Sequence, residues 1–166
     1  MLSYCRINNI LALAIARSAV LAALKVGLAE VRAKGIGRAI ARGTCSGAIQ
    51  GIVTGGASAA GTGATSGDMV GKVEQIARYV AEGASGAVQE LYGTGSVAIA
   101  ISQSAVWGAE RGAAHGIYLS ESKIGSFKFD YERITKASAA GLQSAFTLIG
   151  TPGTPVDPGA NVSPSC

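Results

Sequence analysis

From residue 7 to residue 34 Ala and Leu dominate, with no proline and one glycine, Gly27. Arg6, Arg17, Lys25 and Arg32 punctuate this stretch, and at 100° per residue they fall within about 100° of arc. The pattern predicts one helix over 7–34 with a narrow basic stripe on an otherwise apolar cylinder. Such a helix suits a membrane interface, or burial on three sides in an assembly with its basic edge turned to an anion.

A different period follows. Gly35, Ala39, Gly43, Gly47, Gly51, Gly55, Ala59, Gly63, Gly67 and Gly71 are all small and four apart, and residues 43–67 carry no charge. Glycine weakens a helix by about 1 kcal/mol against alanine. Glycines four apart, however, bare one helix face, so a second backbone can come close and gain dispersion and Cα–H···O contacts. A period of four drifts by about 40° per step, so one straight partner cannot follow the whole row. A crossing is expected at Gly47, Gly51 and Gly55, with a break over 55–67, where GGASAAGTGATSG is least helical.

Asp68 is placed to cap a helix over 69–82, with Met69, Val73, Ile76 and Val80 on one face. Gly83 is expected to end it, with a short helical turn around 86–92. Residues 93–120 repeat the small-residue device at Ser96, Ala100, Ser104, Gly108, Gly112, Gly116 and Ser120. The uncharged run 91–109 would span ~28 Å as helix, close to a bilayer core. KIGSFKFDY (123–131) alternates Phe127, Phe129 and Tyr131 with polar residues and predicts a short extended connector. Asp130 then caps a helix over 131–149, and TPGTPVDPGANVSPSC is a non-helical Pro/Gly-rich tail. The fold class is all-α, several helices with GxxxG-type close packing and an extended C-terminal tail. Four regions follow: a basic arm (1–42), a glycine-row region (43–120), a connector and helix (121–150) and a tail (151–166).

Composition limits what these helices can pack on. The 166 residues are enough for one domain, 48% hydrophobic yet 5% aromatic, with 24 Gly. Charged residues make up 14%, below the roughly 25% of a soluble domain. Alanine buries little area at about 25 cal/mol per Å², so a free-standing core would be thin. A mean hydropathy of +0.34 is high for a soluble chain and modest for a polytopic membrane protein. These values point to helices that pack on lipid, on copies of the chain or on other subunits. Charge is uneven as well. Residues 1–42 hold seven basic side chains against Glu30 alone, a net of +6, leaving −2 for the remainder of a chain at +4. Arg6, Arg17, Lys25, Arg32, Arg38 and Arg42 are the candidate contacts to lipid headgroups or nucleic-acid phosphates, unless they form a solvated face or a positive-inside flank. The first thirty residues are presequence-like, but are expected to be a working part of the protein.

Catalytic constellations are missing from the pattern. His115 is the single histidine and is expected to be structural; Asp68, Glu74, Glu82 and Glu90 suggest no converging pair. GDMVGKV (67–73) is one residue short of a phosphate loop, and no Ser or Thr follows Lys72. GTGSVA (93–98) imitates a dinucleotide fingerprint without a βαβ unit around it. Cys5, Cys45 and Cys166 match no metal or redox spacing, and Asn161 sits in a sequon that matters only in a secreted chain. Tyr92, Trp107 and Tyr118 are either interface belts or packing residues. No metal or cofactor is expected.

The two GxxxGxxxG runs at 47–55 and 108–116, the scarce aromatics and the basic helix resemble the Ala/Gly-rich helical proteins that phages carry in the virion and eject to form a conduit through the host envelope. They are also similar to glycine-zipper subunits of membrane complexes. The leading expectation is a non-enzymatic structural subunit of a large membrane-associated oligomer, and the spacing itself, not the resemblance, assigns the close contacts to Gly47, Gly51, Gly55, Gly108, Gly112 and Gly116. Its partners would be other protein subunits, the bilayer, or nucleic acid at the basic arm, and its setting a membrane or a large particle. The rival readings are a soluble helical subunit of a filament, capsid or tail that packs only on protein, and an enzyme or cofactor carrier using His115 or Cys45.

Overall fold

The computed structural model describes the backbone of residues 4–59, 66–124 and 131–147, and the side chains of 7–54, 69–120 and 131–147. Over those residues the protein is all-α. Five helices, α1 (Tyr4–Leu24), α2 (Glu30–Ala59), α3 (Ser66–Tyr92), α4 (Ser96–Ile124) and α5 (Tyr131–Thr147), follow one another without a strand.

The helices form two layers, with α1, α3 and α5 side by side in one and α2 and α4 in the other. Pairing offsets fix their directions. Lys34 meets Ser104, Arg38 meets Gly108, Arg42 meets Gly112 and Ser46 meets Gly116, a constant 70 positions along the chain, so α2 and α4 are parallel. Asn9 reaches Gln75, Leu13 abuts Gly83 and Arg17 pairs with Glu90, so α1 and α3 are parallel too. Glu74 with Arg133 and Arg78 with Gly141 do the same for α3 and α5. The chain is therefore two helical hairpins stacked in one sense, with α5 extending the first layer, an arrangement with the nearest-neighbour logic of repeat proteins.

Each hairpin turns on a left-handed glycine. Gly27 has φ +71° and Gly93 has φ +74°, values that cost a side-chain-bearing residue about 1–2 kcal/mol. Their amides close the preceding helices, Gly27 N donating to Leu24 O and Gly93 N to Gln89 O. The single helix expected over 7–34 is thus two, broken at 25–29. The apolar run through Val26, Leu28 and Ala29 hid the stop, because hydrophobicity continues where the backbone turns.

Other boundaries moved for similar reasons. α3 does not end at Gly83 but continues to Tyr92. Gly83 is a contact rather than a terminator: a methyl group there would lie 3.1 Å from the Leu13 carbonyl carbon and closer still to its oxygen. α3 begins at Ser66, which puts Asp68 inside its first turn rather than ahead of it. α2 continues to Ala59, past the break expected from 55, and runs across the 42/43 boundary between the basic arm and the glycine-row region. Of the extended connector expected over 123–131, Lys123 and Ile124 instead end α4 and Tyr131 opens α5; residues 125–130 with Phe127, Phe129 and Asp130, Gly63 and the tail fall outside the described residues.

Among the described residues about half of the buried hydrophobic side chains are alanine. The largest fully buried side chains are Leu24, Ile49, Ile76 and Ile101, followed by Val20, Val80 and Val88. Small buried side chains bring helix axes together, so much of the cohesion is dispersion between closely approaching backbones.

Candidate functional site

Three features of the second layer carry the chemistry: the α2–α4 seam, an open groove on the other side of α2, and a basic, aromatic basin over the seam. Along the seam the row Ser104, Gly108, Gly112, Gly116 lies on the carbonyls of Lys34, Arg38, Arg42 and Ser46. A methyl group at Gly108 would stand 2.9 Å from Arg38 Cα, and one at Gly112 would stand 2.9 Å from both Arg42 Cα and Cys45 Cβ. Both would be nearer still to the carbonyl oxygens. At Gly116 the nearest atoms are Ile49 Cβ at 3.0 Å and Ser46 O at 3.1 Å. Ser104, the polar member of the row, donates to Lys34 O (3.1 Å) and accepts from Arg38 Nε (3.2 Å).

The first glycine row is placed differently. Gly43, Gly47 and Gly51 are exposed, and a methyl group at any of them would meet nothing within 4 Å. Among the described residues no helix makes the crossing expected at 47–55; the surroundings of Gly55 lie outside them. These glycines instead floor a groove of about 570 Å³ whose other wall is Leu11, Ala12 and Ile15 of α1. Ile7, Ile10, Leu11 and Ile15 are each about half exposed along that helix. Ile7–Leu24 is the one stretch among the described helices long and apolar enough to cross a membrane, at mean hydropathy 1.7. The uncharged run 91–109 is not one continuous helix, since residues 93–95 form the second hairpin turn.

The structure divides the basic residues named from sequence. The Arg6 side chain lies outside the described residues. Arg17 is bound to Glu90 at 2.8 Å, both half exposed. Lys25 sits in the first hairpin turn, and Arg32 is exposed near the start of α2. Arg38 and Arg42 are brought beside Trp107, Arg111, His115 and Tyr118 of α4, around a basin of about 420 Å³. The Arg38 guanidinium lies 4.1 Å and that of Arg111 5.0 Å from the centre of the Trp107 ring, within cation–π range. Among the described residues no carboxylate is salt-bridged to Arg38, Arg42 or Arg111. His115 Nδ1 is 3.2 Å from Ser46 Oγ, which also accepts from Gln50 Nε2 at 3.2 Å. Three guanidiniums, an imidazole and two aromatic rings can hold a phosphate-type anion and a flat ring together. Reading from sequence missed the α4 half of this basin. Its signal was present: Trp107, Arg111, His115 and Tyr118 are spaced i, i+4, i+8, i+11, which places them on one helix face.

Elsewhere the titratable groups look structural. Cys45 is fully buried, and burial alone pushes its thiol far up, so it holds no thiolate to act as nucleophile or ligand. Among the described residues no group of three or more His, Cys, Asp or Glu could hold a metal. GDMVGKV lies within the first turns of α3, and GTGSVA follows a helix, so neither forms a strand–loop–helix cradle. Glu110 of α4 accepts from the Tyr131 hydroxyl of α5 at 3.3 Å. Burial raises its carboxyl, opposed by that hydrogen bond and by Arg111; burial likewise raises Glu82, against Arg78. A carboxyl raised in the folded state adds stability below the unfolded carboxylate range, and loses it as pH rises through the folded value. Glu110→Gln should therefore raise the melting temperature at pH 7, with the advantage vanishing near pH 4. Thermal melts at unit pH intervals read this directly; a larger advantage in acid would contradict it.

No family model, curated protein or solved structure matches this chain.

Proposed function

We propose that the protein is a non-enzymatic structural subunit of an oligomeric, membrane-associated assembly, such as a virion conduit component or an accessory subunit of a membrane complex. The observation that carries this reading is the open end of the two-layer stack. There a half-exposed ridge of Ile7, Ile10, Leu11 and Ile15 borders the bare backbone at Gly43, Gly47 and Gly51. Uncovered apolar surface of this kind marks an interaction face. In the assembly Gly47, Gly51 and Gly55 take a neighbouring backbone, while Gly108, Gly112 and Gly116 serve the fold within each chain. The apolar stretch Ile7–Leu24, of which 28% is buried, is what favours lipid as part of the environment.

A second reading rests on the seam itself. Bare backbone between α4 and α2 is covered by protein, so the groove beside Gly47 suits a helix of another subunit in a soluble filament, capsid or tail. Vesicle flotation and native mass analysis separate the two. The parent chain is expected to float with phosphatidylcholine–phosphatidylglycerol vesicles and to oligomerise. Leu11→Glu with Ile15→Glu is expected to abolish flotation, and Gly47→Leu to lower the oligomer. Assembly without flotation selects the soluble reading, and a monomer that does not float refutes both.

A further inference from the structure

The basin over the α2–α4 seam is a composite of two helices that no sequence motif announces. Among the described residues no carboxylate is salt-bridged to its cations, although Glu110, next in sequence to Arg111, is close enough to feel it. Its rings are accessible, Trp107 at 39% and Tyr118 at 70% exposure. Two of its guanidiniums rest on an indole rather than on an acid, a contact that a phosphate can displace with little loss. We infer that this basin, formed by Arg38, Arg42, Trp107, Arg111, His115 and Tyr118, binds single-stranded nucleic acid.

The chemistry divides between the two halves of such a ligand. Arg38 is held in place by Ser104 through its Nε, leaving its terminal nitrogens for a phosphodiester oxygen. Arg42 supplies a second guanidinium from the next turn of α2. Arg111 leaves the indole face to meet a further phosphate, and a base takes its place on Trp107 or stacks on Tyr118. Trp107 and Tyr118 are eleven residues apart, ~16 Å along the helix, a length suited to a few unpaired nucleotides. Stacking platforms beside a cationic track are how sequence-tolerant single-strand binding is built. A duplex keeps its bases stacked inside and offers the rings nothing.

A lipid surface fits the basin less well. On α2 the residues Arg38 and Arg42 lie about 100° around the helix from Ala39 and Gly43, so the apolar ridge of α1 and the basin look in different directions. A bilayer engaging the ridge does not meet the basin face on. The inference is independent of the assembly reading, and either stands if the other fails.

Trp107 is the sole tryptophan, so its fluorescence reports this site alone. The full chain is titrated with a fifteen-residue oligothymidylate, with a mixed-sequence duplex of equal length, and with phosphatidylglycerol vesicles. The oligothymidylate is expected to quench Trp107 and to bind more tightly than the duplex. With three phosphates neutralised, its affinity should fall roughly 20-fold between 50 and 200 mM salt. Tyr118→Ala should cost about tenfold for the single strand, and Arg42→Glu with Arg111→Glu about 100-fold with a shallower salt slope. Each variant is used only with the parent's helicity by circular dichroism; Tyr118→Ala removes an exposed side chain and serves if the charge reversals unfold. Unchanged affinity in the charge-reversed chain overturns the inference. So does equal binding of duplex and single strand with no effect of Tyr118→Ala, which is plain polyanion attraction. Tighter binding to the vesicles, lost with the same substitutions, assigns the basin to lipid headgroups instead.

Discussion

Gly112→Ala should destabilise the protein by about 3 kcal/mol or more, while Gly51→Ala, the same chemical change on the other glycine row, should stabilise it by up to about 1 kcal/mol. At Gly112 the added carbon would stand 2.9 Å from Arg42 Cα and from Cys45 Cβ, with the Arg42 carbonyl oxygen nearer still. A backbone carbonyl cannot turn aside as a flexible side chain can. The helices must part by on the order of 1 Å, and a gap of that size forfeits a quarter to a half of each van der Waals well along the seam. Among the described residues the α2–α4 seam is the most extensive, so the loss is spread over many contacts. At Gly51 nothing lies within 4 Å, so the alanine keeps its helix-propensity advantage without a clash. Urea melts followed by circular dichroism at dilution give both signs. If both variants are stabilised, α4 does not lie on α2 in this register.

Ile76→Ala should cost about 3 kcal/mol. Ile76 is fully buried on α3, which among the described residues touches all four other helices. Half of the core cluster it belongs to is alanine, which has no rotamers with which to fill a vacated space. Among the described residues only a few side chains as large as isoleucine are fully buried, so each carries an outsized share of a net stability of some 5–15 kcal/mol. Ile10→Ala, half exposed on α1, is the control and should move stability by no more than about 0.5 kcal/mol. Equal effects at the two positions would mean that α3 is not the centre of the stack.

Much of the secondary structure was legible in sequence because helices write their faces at fixed spacing. Met69, Val73, Ile76 and Val80 marked α3, and all four are buried. On α5 the buried side is Ile134, Ser138, Gly141 and Ala145. What was misread turned on glycine, which has several uses that look alike in one dimension. Gly27 ends a helix by adopting a left-handed conformation, Gly83 lets a carbonyl approach in mid-helix, and Gly51 is exposed. Spacing alone does not separate them, because the difference lies in the neighbouring element rather than in the glycine. The basin was half legible. The cations of α2 stood out by charge, whereas Trp107, Arg111, His115 and Tyr118 were spread over twelve residues among small ones and mattered only once α4 came to lie beside α2.

The sequence by itself determined that this chain is helical, that its helices are smooth enough for close approach, and that its cations gather toward the N-terminus. These follow from local properties: residue volume, periodicity and charge. Tertiary structure alone decided which bare face is filled and which stays open, since two nearly identical glycine rows differ only in whether another helix lies against them. It also decided that arginines from one hairpin meet the aromatic rings of the other. That meeting depends on the register between parallel helices some 70 residues apart, a distance over which no local pattern carries information.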